Sequence, residues 1–369
     1  MYSKPKVKFN TSTSLFSEIK EVPAILDQKT YPSLNGLRAI SIIMVVVHHF
    51  ILNYNPYFQS LVFIGPLGVD VFFVISGFLI TTLCIKEKIT TGNLSLKNFY
   101  IRRALRILPV AYLYIVVIAV LSYFFKLQVG ALSFISSALF IANLSYFRRL
   151  QFDWSLGHYW SLSVEEQFYL LFPVFIKKKF QLYVTILLVI ILLVPVLVYL
   201  QTIIGFLNNG ILSAALRYLV KFQGIAIGCL FSVLLFKGYL NFGRLGLAAT
   251  LISIFMIFYL KFDPFFTLQS CFINLLISIF VGVIIVNNIS VKTNLIYKFL
   301  NLKALNFIGI LSYSIYIWQQ LFLSNDARFP LTKYPINLLL LVVVPVLSYF
   351  YYEKFFLSLK ARFIKSKKG

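Results

Sequence analysis

The chain has 369 residues, 60% of them hydrophobic and only 12% charged, with a net charge of +23 and a mean hydropathy of +0.88. A soluble domain is about 45–50% apolar and about 25% charged, so composition excludes a soluble globular protein. The basic residues cluster between apolar runs, as membrane topology demands. No nucleic-acid motif accompanies them, and no nucleic-acid partner is expected.

Residues 1–30 carry Lys4, Lys6, Lys8 and Lys20 but no apolar core. They read as a cytoplasmic tail rather than a signal peptide. Ten apolar runs long enough to span a bilayer follow, at about 34–53, 66–85, 108–127, 160–176, 182–201, 216–236, 243–260, 267–286, 305–323 and 336–356. The expectation is an all-α, multi-pass membrane protein of about ten transmembrane helices over 31–357, with the lipid bilayer as its first partner. A basic tail at 358–369 completes it. With the N-terminus inside, 25 of the 34 Lys and Arg lie on the cytoplasmic side and six outside, while Arg38, Arg217 and Lys221 fall within spans. That asymmetry places both termini in the cytoplasm. Counting 131–147 as an eleventh span would put Lys177, Lys178 and Lys179 outside, so this segment reads as a re-entrant or interfacial helix. Cys84, Cys229 and Cys271 lie in apolar runs without metal spacing, and no metal site is expected.

The first run holds Arg38 and His49. Eleven residues at 100° come to about 20° beyond three turns, so both lie on one helix face, roughly 16 Å apart along the axis. His48 points elsewhere. Ionisable groups in lipid are expensive and by default mark a functional path. His49 and Asp70 each lie four residues from the outer end of their runs and share a depth. A carboxylate beside an imidazole would fix its tautomer and raise its basicity; the bland alternative is a helix cross-link and a cap.

In the same helix as Asp70, Ser76 and Gly77 are explained by close helix packing. Arg103 and Arg106 share a face ahead of the third run, with Arg102 on the flank. They form either a phosphate clamp or a juxtamembrane helix that serves topology and anionic lipid. Ser161 and Glu165, four apart, share a face of the fourth run beside Glu166. His158 and Trp160 precede them as site residues or interface anchors. Arg217 and Lys221 either face a wet cavity or snorkel. Ser312, Tyr313, Tyr316, Trp318 and Gln319 place polar groups in the ninth run, lining a cavity or cross-linking helices.

Taken together these segments resemble the membrane-bound acyltransferase family 3, bacterial O-acetyltransferases that act on surface polysaccharides. The matching stretches are LNGLRAI from Leu34 with His49 at the R-x10-H spacing, FFVISGFLI from Phe72, YIRRALRILP from Tyr100, WSLSVEEQFY from Trp160 and SYSIYIW from Ser312. They occur in the family's order across about 32–356. The resemblance implies a ten-helix enzyme of the bacterial inner membrane. It takes an acyl group, usually acetyl, from cytoplasmic acyl-CoA as co-substrate, with no permanently bound cofactor, and passes it to a hydroxyl of a glycan acceptor outside. It makes Arg38 and His49 the essential pair, Arg103 and Arg106 the R-x-x-R element, and Ser161 and Glu165 the S-x-x-x-E element.

Three positions depart from the family's pattern: Asn35 stands for its usual Asp, Gln319 for its common His, and Glu353-Lys-Phe for its Glu-x-Pro. Its frequent C-terminal esterase-like domain is not expected within this sequence. The mechanism then expected has Arg103 and Arg106 on the coenzyme A phosphates, Arg38 on the donor, and His49 as general base tuned by Asp70 or Glu165. An acyl-His49 intermediate is the alternative chemistry, and a transporter or flippase for a lipid-linked glycan or small anion the alternative class. Oligomeric state is not legible.

Overall fold

A computed structural model describes residues 14–28, 30–54, 56–61, 63–144, 153–204, 211–240, 245–262, 270–290, 294–324 and 329–360. Among them every regular element is helical. The principal helices are α1 (Pro32–Tyr54), α2 (Ile64–Thr91), α3 (Leu96–Phe125), α4 (Ala131–Ala138), α5 (Tyr159–Lys178), α6 (Phe180–Leu188) and α7 (Val194–Ile204). They continue with α8 (Ile211–Leu219), α9 (Gln223–Phe236), α10 (Gly246–Phe262), α11 (Ser270–Ser290), α12 (Leu295–Leu300), α13 (Lys303–Phe322), α14 (Ile336–Leu347) and α15 (Lys354–Lys360). A π-turn joins α6 to α7, and another joins α14 to α15.

Seven helical stretches are long and apolar enough to cross a membrane by length and composition. They comprise α1, α2, α3, α6 with α7, α8 with α9, α11, and α14 with α15; α10 is a shorter apolar helix. Neither α5, with Glu165 and Glu166, nor α13, with Gln319 and Gln320, is among the seven, because polar side chains interrupt their apolar runs. The segment 131–147 contains an eight-residue helix, α4, about 12 Å long and too short to span. Asp153 holds its start by accepting from the Gly130 amide at 3.0 Å and from the Ser133 hydroxyl. Residues 145–147 of that segment lie outside the described residues.

Apolar surface faces both lipid and protein in such a bundle, so small residues and polar cross-links decide which helices meet. At the centre α2 packs on α9. A Cβ on Gly77 would collide with the Ile225 carbonyl, and one on Gly228 with the Val74 carbonyl. Both glycines are therefore required by backbone proximity. α1 lies between α2 and α13 and is joined to α13 by Asn35 donating to Asn306 at 2.7 Å.

Part of the N-terminal segment is packed onto the bundle rather than trailing from it. Leu26 is fully buried, Lys86 donates to the carbonyls of Leu26 and Gln28, and Lys88 pairs with Glu18 at 2.9 Å. α3 has 30 residues, about 45 Å at 1.5 Å each, against a hydrocarbon core of about 30 Å. It is therefore longer than that core is thick, and it must project beyond the hydrocarbon or tilt within it.

Candidate active site

Five helices enclose a cavity of about 70 Å³. Arg38 enters from α1, Phe72 and Ser76 from α2, Arg103 and Arg106 from α3, Ser161, Glu165 and Tyr169 from α5, and Ser312, Tyr313 and Tyr316 from α13. Helical spacing explains the wall: Ser161, Glu165 and Tyr169 repeat every four residues down one face of α5, and Arg103 and Arg106 repeat at three on α3. The volume admits several waters. A larger guest requires side chains to move.

Charge is unbalanced here. Glu165 is the carboxylate in the wall, and it is already used, accepting from Ser76 at 2.8 Å and Tyr169 at 3.3 Å. Arg103 stacks over the Tyr169 ring with its guanidinium carbon 4.2 Å from the centroid. Among the described residues neither Arg38 nor Arg106 makes a hydrogen bond or an ion pair within 4 Å. Three guanidiniums, two of them unengaged, around one carboxylate make a low-dielectric site that favours an anion.

Arg38, expected on the donor, shares one chamber with Arg103 and Arg106. Arg102 does not join them. It is held by Glu87 of α2 at 2.5 Å, on the flank of α3. Tyr313 lines the cavity and donates to the Ile107 carbonyl at 2.9 Å. Ser161 and Tyr316 share a hydrogen bond of 2.5 Å in the cavity wall, and whichever hydroxyl accepts it donates in turn to the His158 carbonyl, 3.1 Å from Ser161 and 3.3 Å from Tyr316.

His49 lies outside the arginine chamber. Its Nδ1 meets Gln319 Oε1 at 2.7 Å, and its ring meets Trp154 edge-on at 5.3 Å. Gln319 Nε2 is engaged by Gln320 Oε1 at 3.1 Å, so the amide oxygen faces the imidazole. His49 therefore donates from Nδ1 and keeps a lone pair on Nε2. Among the described residues the predicted pairing with a carboxylate is not found. Glu165 faces the arginines, and among the described residues no hydrogen bond or ion pair joins Asp70 to His49. Shared depth does not fix the rotation of α2 about its axis, so level side chains on neighbouring helices need not meet.

The remaining candidates separate. Trp160 packs edge-on against Phe73 at 6.1 Å and is not in the cavity wall. Glu166 leaves Oε1 buried without a partner. His158 is buried rather than placed at an interface. Lys221 donates to the Asn143 carbonyl, tying α9's approach to the α4 region. Sequence reasoning missed Trp154 and Gln320, and it read Ser76 as packing alone. A hydroxyl in an otherwise apolar α2 was the signal for Ser76. Trp154 carried none, because its role depends on how the segment before α5 folds over His49.

The family model described as Acyltransferase domain matches residues 31–351. Putative O-acetyltransferase SACOL0978 of Staphylococcus aureus (strain COL) is 30% identical over 352 residues, covering 87% of this chain and 56% of the relative. O-acetyltransferase OatA of Staphylococcus aureus (strain NCTC 8325 / PS 47) is 28% identical over 370 residues, covering 91% of this chain and 58% of the relative. The chain thus spans a little over half the length of these curated relatives. No solved structure matches it significantly. On the extent of the family match, the chain belongs to the acyltransferase 3 family of membrane proteins.

Proposed function

We propose that the protein is a membrane O-acyltransferase that moves an acetyl group from cytoplasmic acetyl-CoA to a hydroxyl of a glycan presented on the far side of the bilayer. The observation that carries this reading is the chamber of Arg38, Arg103 and Arg106 buried in an apolar bundle beside Glu165. A transporter has no need of an imidazole held in one tautomer beyond such a site. The names of the Staphylococcus aureus relatives support O-acetyl transfer as the chemistry.

In this reading the protein crosses the bacterial inner membrane ten times with both termini inside, α5, α10 and α13 completing the seven apolar spans. Arg103 and Arg106 hold the anionic end of acetyl-CoA near the inner boundary. Arg38 stabilises the thioester oxygen as it gains charge, the kind of contact that contributes most to acyl transfer. His49 takes the acceptor's proton on Nε2, and the oxygen attacks the thioester carbon. No cofactor is retained between turnovers.

The test is radiolabelled acetyl-CoA supplied to everted membrane vesicles carrying the full chain, with label counted in envelope glycan and free thiol measured in parallel. Transfer that stops in His49→Ala supports the reading. Parent-rate transfer by folded His49→Ala removes His49 from it, and a parent protein that releases no thiol and moves no label removes the enzyme altogether.

A further inference from the structure

Among the described residues, one imidazole in the core has no hydrogen-bond partner. His158 is 3% exposed, and neither Nδ1 nor Nε2 reaches a donor or acceptor. Tyr159, Tyr114 and Tyr316 enclose it, with ring centroids at 4.9, 5.2 and 5.6 Å. None has a hydroxyl to spare. Tyr114 donates to the Ser155 carbonyl at 2.8 Å and Tyr159 to the Ala111 carbonyl at 2.6 Å, while Tyr316 is taken by Ser161. A second orphan, Trp318 Nε1, is buried where its ring meets Tyr114 at 5.5 Å. Native proteins seldom bury unmatched polar atoms without a water, an ion or a ligand to meet them.

Position gives this orphan a use. The His158 carbonyl lies within hydrogen-bond reach of the Ser161 and Tyr316 hydroxyls, both in the wall of the arginine chamber, so the residue backs directly onto that chamber. On its other side α13 connects it to His49: Tyr316 packs against the His158 ring at 5.6 Å, and Gln319, three residues on, holds His49. His49 has spent one nitrogen on Gln319. His158 has spent neither.

We propose that His158 is a second acid–base residue, a proton shuttle between His49 and the sulfur of the departing thiol. The inference rests on the transferase reading above. The acceptor O–H bond breaks and its proton passes to His49 Nε2, while the C–O bond forms and the C–S bond breaks. The electron pair leaves on sulfur. His158 gives sulfur the proton from one ring nitrogen and accepts the His49 proton, through water, on the other. Thioester and alcohol become ester and thiol, both imidazoles end neutral, and exchange with water restores the His158 tautomer. A shuttle of this kind needs one donor and one lone pair, both unclaimed.

The variants are His158→Phe, of similar size and without nitrogens, and His158→Gln, which keeps polarity but cannot shuttle. Membranes of the host strain lacking the chain are complemented with parent or variant and supplied with radiolabelled acetyl-CoA. The rate of label transfer, the KM for acetyl-CoA and the thermal midpoint in detergent are then read. Expected is a fall in transfer of roughly 10²–10⁴-fold in both, with KM and midpoint held; His158→Phe gains stability if anything, since it removes an orphan. Imidazole added to His158→Gly restores part of the rate. Parent-rate transfer by either folded variant overturns the shuttle and leaves the transferase reading standing. A rate that falls only in step with acetyl-CoA affinity and midpoint makes the residue structural and also overturns it. If His158→Phe does not fold, His158→Gln alone decides. An inert parent overturns both readings.

Discussion

Gln319 Oε1 stands 2.7 Å from His49 Nδ1, across 270 positions of sequence, and holds that imidazole as the Nδ1–H tautomer. The amide is itself oriented by Gln320. A position where the resembling family commonly carries histidine is thus occupied here by a residue that performs a definite task.

Replacing Gln319 by Leu leaves Nδ1 without an acceptor and lets the ring take either tautomer. One hydrogen bond contributes about 0.5–1.5 kcal/mol net, so the turnover rate falls by up to about tenfold while the KM for acetyl-CoA stays put. Steady-state thiol release measures it. Equal kcat values in Gln319→Leu and parent would break the link between this amide and catalysis.

The arginines of α3 differ in kind. Arg103→Ala and Arg106→Ala raise the KM for acetyl-CoA by an order of magnitude or more, since each removes a charge-assisted contact of about 1.5–3 kcal/mol. Arg102→Ala leaves KM unchanged and lowers the midpoint slightly, because its charge is spent on Glu87. A KM effect of Arg102→Ala as large as that of Arg103→Ala would contradict this assignment.

The contact between α2 and α9 tolerates no side chain at Gly77. Gly77→Ala costs about 1–3 kcal/mol through overpacking, read as a lower midpoint in detergent. Gly92, where nothing lies within 4 Å of an added Cβ but φ is +73°, loses stability through backbone strain instead. Size separates the two sites: Gly77→Leu is far worse than Gly77→Ala, whereas Gly92→Leu and Gly92→Ala are alike.

Orientation is open to a labelling experiment. Cys84, Cys229 and Cys271 are buried and should stay silent toward an impermeant maleimide. A cysteine introduced at Ser3 or at Ser366 is then labelled in everted vesicles and protected in intact cells. Labelling of either site in intact cells would reverse the proposed topology at that end.

Much of this was written locally. Hydropathy and 3.6-residue periodicity mark the helices, the eleven-residue interval puts Arg38 and His49 on one face of α1, and the spacings of Arg103 with Arg106 and Ser161 with Glu165 put each pair on one wall. These are properties of single helices, and sequence contains them in full.

Which face of each helix turns inward is decided elsewhere. In a bundle whose lipid-facing and core-facing residues are both apolar, amphipathicity barely records helix rotation, so level side chains need not meet. Packing gave His49 to Gln319 rather than to Asp70. It brought Arg38 into the α3 arginines and left His158 enclosed by tyrosines already engaged. Each of those pairings joins residues distant in the chain, and only glycine contacts and polar cross-links between whole helices select them.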